Sequence, residues 1–169
     1  MDRGPDNEHG RRTGTGSDRG HRLVEGCWEE IDRAGYLVVA VDGERATCDW
    51  AYTIGLHRST GHPELCLVGI DAAMAGGVLD ALAGRVLAGR RFEAGGSVTV
   101  GPLHLGLRPV DRLWLDDGDW FTVGRAVLAV RGLPWPSTLQ VLWPDDVGEY
   151  PEHPGDPRWA LRQPLLAER

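Results

Sequence analysis

Two runs of β-favouring residues, YLVVAV (36–41) and TCDWAYTIGL (47–56), flank the turn-forming stretch DGER. Val, Ile, Tyr and Thr suit a pleated surface, and a short Gly-bearing connection joins neighbouring strands into a hairpin. A third apolar run, ELCLVGI (64–70), follows after the loop HRSTGHP. Three strands between residues 36 and 70 commit the chain to a sheet built from local antiparallel pairs. Helices are left to cover it.

The flanking segments supply them. Asp18 can cap a helix running to about Ala34, with Leu23, Val24, Cys27, Trp28 and Ile31 at helical spacing and Gly35 as its stop. Asp71 can cap a second helix to about Arg90, with Met74, Val78, Leu82 and Val86 marking one face. Gly76, Gly77 and Gly84 weaken that helix, or else let it pack closely on the sheet. DWFTVGRAVLAVRG (119–132) reads as a third helix. RRFEAG, SVTVG, LHLGLRPV and STLQVLWPD (137–145) read as further strands, and the Pro-rich remainder as irregular. The expected fold is α+β, a single domain with a mainly antiparallel sheet and about three helices packed on it. Residues 1–18 are almost devoid of apolar side chains and read as a disordered tail ahead of a domain over 19–169.

Composition narrows the function classes. The 169 residues suit one core, and no apolar run nears the roughly 20 residues that span a bilayer. With no apolar leader either, a cytoplasmic location is expected. The net charge is −7 and every one of the 18 basic residues is Arg, a bias that points to a GC-rich bacterial genome. So acidic a chain disfavours non-specific nucleic-acid binding, because phosphate is repelled. Cys27, Cys48 and Cys66 are odd in number and form no CxxC pair, so they are expected to be reduced thiols serving as small hydrophobes. Neither a P-loop nor a GxGxxG fingerprint is present.

The candidate site lies along AYTIGLHRSTGHPEL (51–65). In a strand, Trp50, Tyr52, Ile54 and Leu56 share a bulky face, while Ala51, Thr53 and Gly55 share a small one. A small face with Gly admits either a planar ligand or a closely packed helix. His57, His62 and Glu64 form His-x4-His-x-Glu, residue types that suit zinc or iron, but Pro63 and the loop setting argue against convergence on a metal. His62 and Glu64 are the candidates for acid–base chemistry. In the last strand Gln140 needs hydrogen-bond partners, either neighbouring backbone or a ligand edge, and Trp143 stands at the strand end. Trp114, Trp135 and Trp159 lie in or near loops, where an indole can stack on a ring or cap the core edge.

YTIGL, GHPEL, Gly69, LQVLWPD-x-x-G and QPLL together resemble the DUF4262 family of small bacterial proteins, over about residues 30 to 166. The resemblance implies the fold and supplies no activity. The chain departs from it after the PD-x-x-G turn. The family pattern places a Pro-Trp pair there, whereas this sequence reads GEYPEHPG and reaches a Trp only at Trp159.

Three function classes follow. The first is binding of a small planar ligand, flavin being the concrete candidate, between the Tyr52–His57 strand end and the Gln140–Trp143 strand end. The second is an acidic protein-binding module, toxin-neutralising or regulatory. The third is a metal-dependent or acid–base enzyme using His57, His62 and Glu64. The ligand-binding residues expected under the first are Tyr52, Thr53, Gly55, His57, His62, Glu64, Gln140 and Trp143.

Overall fold

The computed structural model describes residues 15–43, 48–116, 120–152 and 157–167. Helix α1 (Thr15–Ala34) ends at Gly35, whose φ of 87° is the left-handed conformation that Gly adopts most easily. Strands β1 (Leu37–Val41) and β2 (Trp50–Ile54) form the expected antiparallel hairpin. Helix α2 (Leu56–Thr60) occupies most of the stretch read as a plain loop. Strand β3 (Glu64–Val68) leads through Gly69 into α3 (Ala72–Leu87), capped by the Asp71 carboxylate on the Met74 N–H at 3.0 Å. Strands β4 (Ser97–Val100) and β5 (Leu103–Pro109) follow. Then come α4 (Arg112–Asp116), α5 (Thr122–Val130), β6 (Thr138–Leu142) and α6 (Pro157–Arg162).

The strands form one sheet in the order β1-β2-β3-β6-β5-β4. Every neighbouring pair is antiparallel except β3 and β6, which run parallel. The architecture is α+β, with α1, α3 and α5 as the three longer helices.

Both sheet faces are covered, so both faces of the central strands are apolar. On one face Ala51, Leu65, Leu67 and Val141 pack with Ala75, Leu79, Leu82 and Val86 of α3. On the other, Tyr52, Ile54, Cys66 and Val68 pack with Trp28 and Ile31 of α1 and Val127 and Leu128 of α5. On the small face of β2, Ala51 therefore packs against α3.

Several expectations are corrected. Met74 is 57% exposed, because the buried stripe of α3 runs through Ala72, Ala75, Val78, Leu79, Leu82, Ala83 and Val86. The glycines of α3 do not serve close packing. A methyl group at Gly77 or Gly84 would meet nothing within 4 Å, and one at Gly76 would only touch Val38 at 3.9 Å. RRFEAG is not a strand but an irregular approach to β4. The first helix starts at Thr15, inside the stretch read as a tail, and the rest of that stretch, 1–14, lies outside the described residues. Part of the DGER turn lies outside them as well. Among the described residues no helix is long and apolar enough to cross a membrane.

Candidate functional site

Strand β2 ends abruptly at Gly55, with φ 93°. A Cβ there would sit 2.6 Å from Ile31 Cγ2, so only Gly allows this turn beneath α1. The turn aims three successive backbone N–H groups, those of Gly55, Leu56 and His57, at one carboxylate. Glu64 Oε1 accepts from Gly55 at 2.9 Å and His57 at 3.1 Å, and Oε2 accepts from Leu56 at 3.3 Å. The Thr53 hydroxyl donates to Oε2 at 2.6 Å and accepts the Leu65 N–H at 2.9 Å. Glu64 is 1% exposed. Burial pushes its carboxyl above the ordinary value, and the four hydrogen bonds pull it back. Both oxygens are filled, so the carboxylate acts as the N-terminal anchor of α2 rather than as a free base.

His62 is equally committed. Its Nε2 lies 3.0 Å from the Phe92 N–H, and its Nδ1 lies 2.7 Å from the Pro63 carbonyl. An N–H can only donate and a carbonyl can only accept, which assigns the neutral Nδ1–H tautomer. The ring is 1% exposed and meets Phe92 edge-on. Burial holds its pKa below the ordinary value, with Arg91 adding to the effect and the hydrogen bonds opposing it. No His62 nitrogen is left for a metal, and among the described residues no group of three His, Cys, Asp or Glu side chains could hold one.

Tyr52 is a core residue whose hydroxyl accepts the Gly124 N–H at 3.2 Å. Burial raises its pKa to about 12. Its ring meets Phe121 and Trp135 edge-on, at centroid distances of 5.2 and 5.8 Å. Trp135 in turn stacks on Phe121 at 5.0 Å and donates from Nε1 to Thr138 Oγ1 at 3.0 Å. This indole pins the GLPWPS segment to the end of the sheet. Of the thiols, Cys66 is fully buried with its pKa pushed far up, which suits a small hydrophobe and not a nucleophile.

Beside this anchor lies a cavity of about 270 Å³, lined by Gly55, His57, Arg58, Glu64, Leu128, Leu133, Pro134 and Pro136. The prolines offer no N–H donor, and Glu64 spends its oxygens on backbone, so the walls are largely apolar. His57 is exposed, and its ring makes no hydrogen bond among the described residues. Arg58 stands next to it, in an ion pair with Asp32 at 2.9 Å.

The structure thus brings Gly55, His57 and Glu64 together, with Tyr52, Thr53 and His62 behind them as support. It does not bring Gln140 and Trp143 to the same place. Because β6 runs parallel to β3, Trp143 lies at the opposite end of the sheet from His57. Gln140 is fully buried and holds the C-terminal segment, donating to the Pro164 carbonyl at 2.8 Å and accepting the Leu166 N–H at 2.7 Å. Trp143 Nε1 donates to the Val68 carbonyl at 2.9 Å. A site between the two strand ends is therefore excluded. Sequence reasoning missed the opposing wall, Leu128, Leu133, Pro134 and Pro136. The Pro-Trp-Pro triplet was the available signal.

A family model described as "Domain of unknown function (DUF4262)" matches residues 30–157. No curated protein and no solved structure matches the chain.

Proposed function

The chain belongs to the DUF4262 family, whose function is unknown, and from its own geometry we propose that it binds a small, flat, largely apolar molecule in the cavity between Gly55–Arg58 and Leu133–Pro136. One observation carries this reading. An apolar cavity with rigid proline walls opens beside an unbonded imidazole, that of His57, and the guanidinium of Arg58. Apolar walls supply affinity and a few convergent polar groups fix orientation.

Size restricts the ligand. About 270 Å³ falls at the lower edge of the roughly 300–1,000 Å³ typical of ligand pockets. A single ring system fits and a dinucleotide does not. A flavin mononucleotide would enter by its ring edge, leaving its ribityl phosphate outside near Arg58. Binding without catalysis is the simplest role, since Glu64 and His62 are both tied into backbone.

The test is a titration with flavin mononucleotide and, separately, with the apolar fluorophore anilinonaphthalene sulfonate. Saturable binding of either, weakened at least about tenfold by Leu133→Asp and by His57→Ala with unchanged melting, supports the proposal. Absence of saturable binding of both probes, or binding indifferent to Leu133→Asp, overturns it. An oxidised-flavin absorbance band in the freshly purified protein would identify the flavin directly.

A further inference from the structure

The sheet has two edges, β1 and β4, and the chain treats them differently. At the β4 edge the Gly95 N–H donates to the Leu107 carbonyl and the Gly96 carbonyl accepts the Leu107 N–H, so two residues face one. With Gly95 at φ 82° this is a β-bulge, which bends the strand out of line. The Thr99 carbonyl is taken by the Arg85 guanidinium at 2.8 Å. A bulge and a nearby charge both blunt a strand edge against pairing.

The β1 edge has neither device. The Gly69 N–H donates to the Asp49 carbonyl, so Asp49 and, two residues on, Ala51 turn their backbone groups towards β3. Those of Trp50, Tyr52 and Ile54 consequently face β1, where their partners are Val41, Val39 and Leu37. The N–H and C=O groups of Val38 and Ala40 therefore point away from β2, past the edge of the sheet, and no described residue bonds them. The strand reads LVVAV, with no charge, proline or glycine to turn a second strand away. Ala40 is exposed at its rim.

Helix α3 leaves the space beyond this edge open. Its flank over β1 is marked by Gly76, where a methyl group would touch Val38 at 3.9 Å, and by Asp80, whose carboxylate accepts the Tyr36 hydroxyl at 2.5 Å. Ala73 and Gly77 lie farther out on the same flank at helical spacing, and both are exposed. A methyl group at Gly77 would meet nothing within 4 Å. No bulky side chain at these positions overhangs the edge, and the Asp80 carboxylate is already bonded.

We infer that β1 pairs antiparallel with β1 of a second copy of this chain, around a two-fold axis at Val39, so that two sheets become one. Val38 of each copy then meets Ala40 of the other, and the two exchange N–H···O=C bonds in both directions. Val39 meets its own symmetry mate on the α1 face, and Leu37 lies beside Val41. The same patch serves both copies, as a two-fold interface requires. A chain of net charge −7 repels its own copies, and this uncharged strand is a place where two of them meet without opposing charges. Selecting a foreign strand takes a charge or a side-chain pocket, and β1 presents backbone and small apolar groups instead.

The experiment is sedimentation velocity of the full chain across micromolar concentrations, wild type beside Ala40→Arg, Ala40→Pro and Ser97→Arg. Ala40→Arg puts a charge on the exposed rim and leaves the backbone intact. Ala40→Pro removes the outward N–H, a loss that an edge strand tolerates. Ser97 is exposed on the opposite edge and serves as the control. Wild type and Ser97→Arg should sediment at twice the chain mass. Ala40→Arg and Ala40→Pro, with unchanged circular dichroism, should dissociate at least about tenfold more readily. A wild type that stays monomeric, a dimer that survives Ala40→Arg, or one weakened equally by Ser97→Arg would each overturn the inference.

Discussion

The Thr53 hydroxyl lies 2.6 Å from Glu64 Oε2 and, through the same oxygen, accepts the Leu65 N–H. Strands β2 and β3 diverge at this point, and one side chain stands in for the missing ladder bond while also holding the carboxylate that starts α2. Glu64→Gln replaces one acceptor oxygen by an NH₂ group facing backbone donors. Stability should fall by about 1–3 kcal/mol in urea unfolding. A change below about half a kcal/mol would mean that the carboxylate is not structural.

His62 makes stability depend on pH. Its folded pKa lies below the unfolded value of 6.5, so below that value the unfolded chain binds more protons. Stability therefore falls as the pH drops through and below about 6.5, and protonation also sets two N–H groups against each other at Phe92. Glu64, with its pKa raised, acts in the opposite sense above its own unfolded value. Comparing wild type with His62→Gln isolates the imidazole. The acid-induced loss should be larger in wild type, and equal losses would contradict the assigned tautomer.

The strands and their hairpin were legible because runs of β-favouring residues and a short Gly-bearing turn lie within short windows. The buried face of α3 was misjudged by one position. Ala72, Ala75 and Ala83 are core but do not stand out by size, whereas Met74 does stand out and is exposed. Leu82→Ala should cost about 2–5 kcal/mol, and Met74→Ala should stay within about half a kcal/mol of wild type. Equal effects in thermal unfolding would place the helix on a different face.

The candidate site was half legible. Its near wall, Gly55, His57 and Glu64, lies in one short segment. The partners of the buried polar groups do not: Phe92 is 30 residues from His62, and Leu166 is 26 from Gln140. The decisive error came from one strand pair. Were β6 antiparallel to β3, Trp143 would stand beside His57. The single parallel pair in the sheet sends it to the far end. Parallel pairing depends on a long crossover that no local pattern records.

Two glycine substitutions should move stability in opposite directions. Gly84 sits in a helix interior with open space around it, and Gly84→Ala should stabilise by about 0.5–1 kcal/mol. Gly69 has φ 92° and backbone at 2.1 Å from an added Cβ, so Gly69→Ala must displace α6 or strain the turn, costing more than about 1 kcal/mol. Melting temperatures of the pair check both, and a neutral Gly69→Ala would show that the C-terminal segment is loosely held.

The proposed binding of a small molecule in the cavity walled by Leu133, Pro134 and Pro136 can be seen by mass. Native mass spectrometry of the purified full chain, wild type beside Leu133→Trp, reads it out. Leu133 is 39% exposed at the rim, so the larger ring can close the cavity without disturbing the core. Wild type is expected to carry, or take up from added flavin mononucleotide or anilinonaphthalene sulfonate, one small molecule per chain, and Leu133→Trp, folded and equally stable, is expected to bind none. A wild type that binds nothing, or a Leu133→Trp variant that binds as well as wild type, would contradict it.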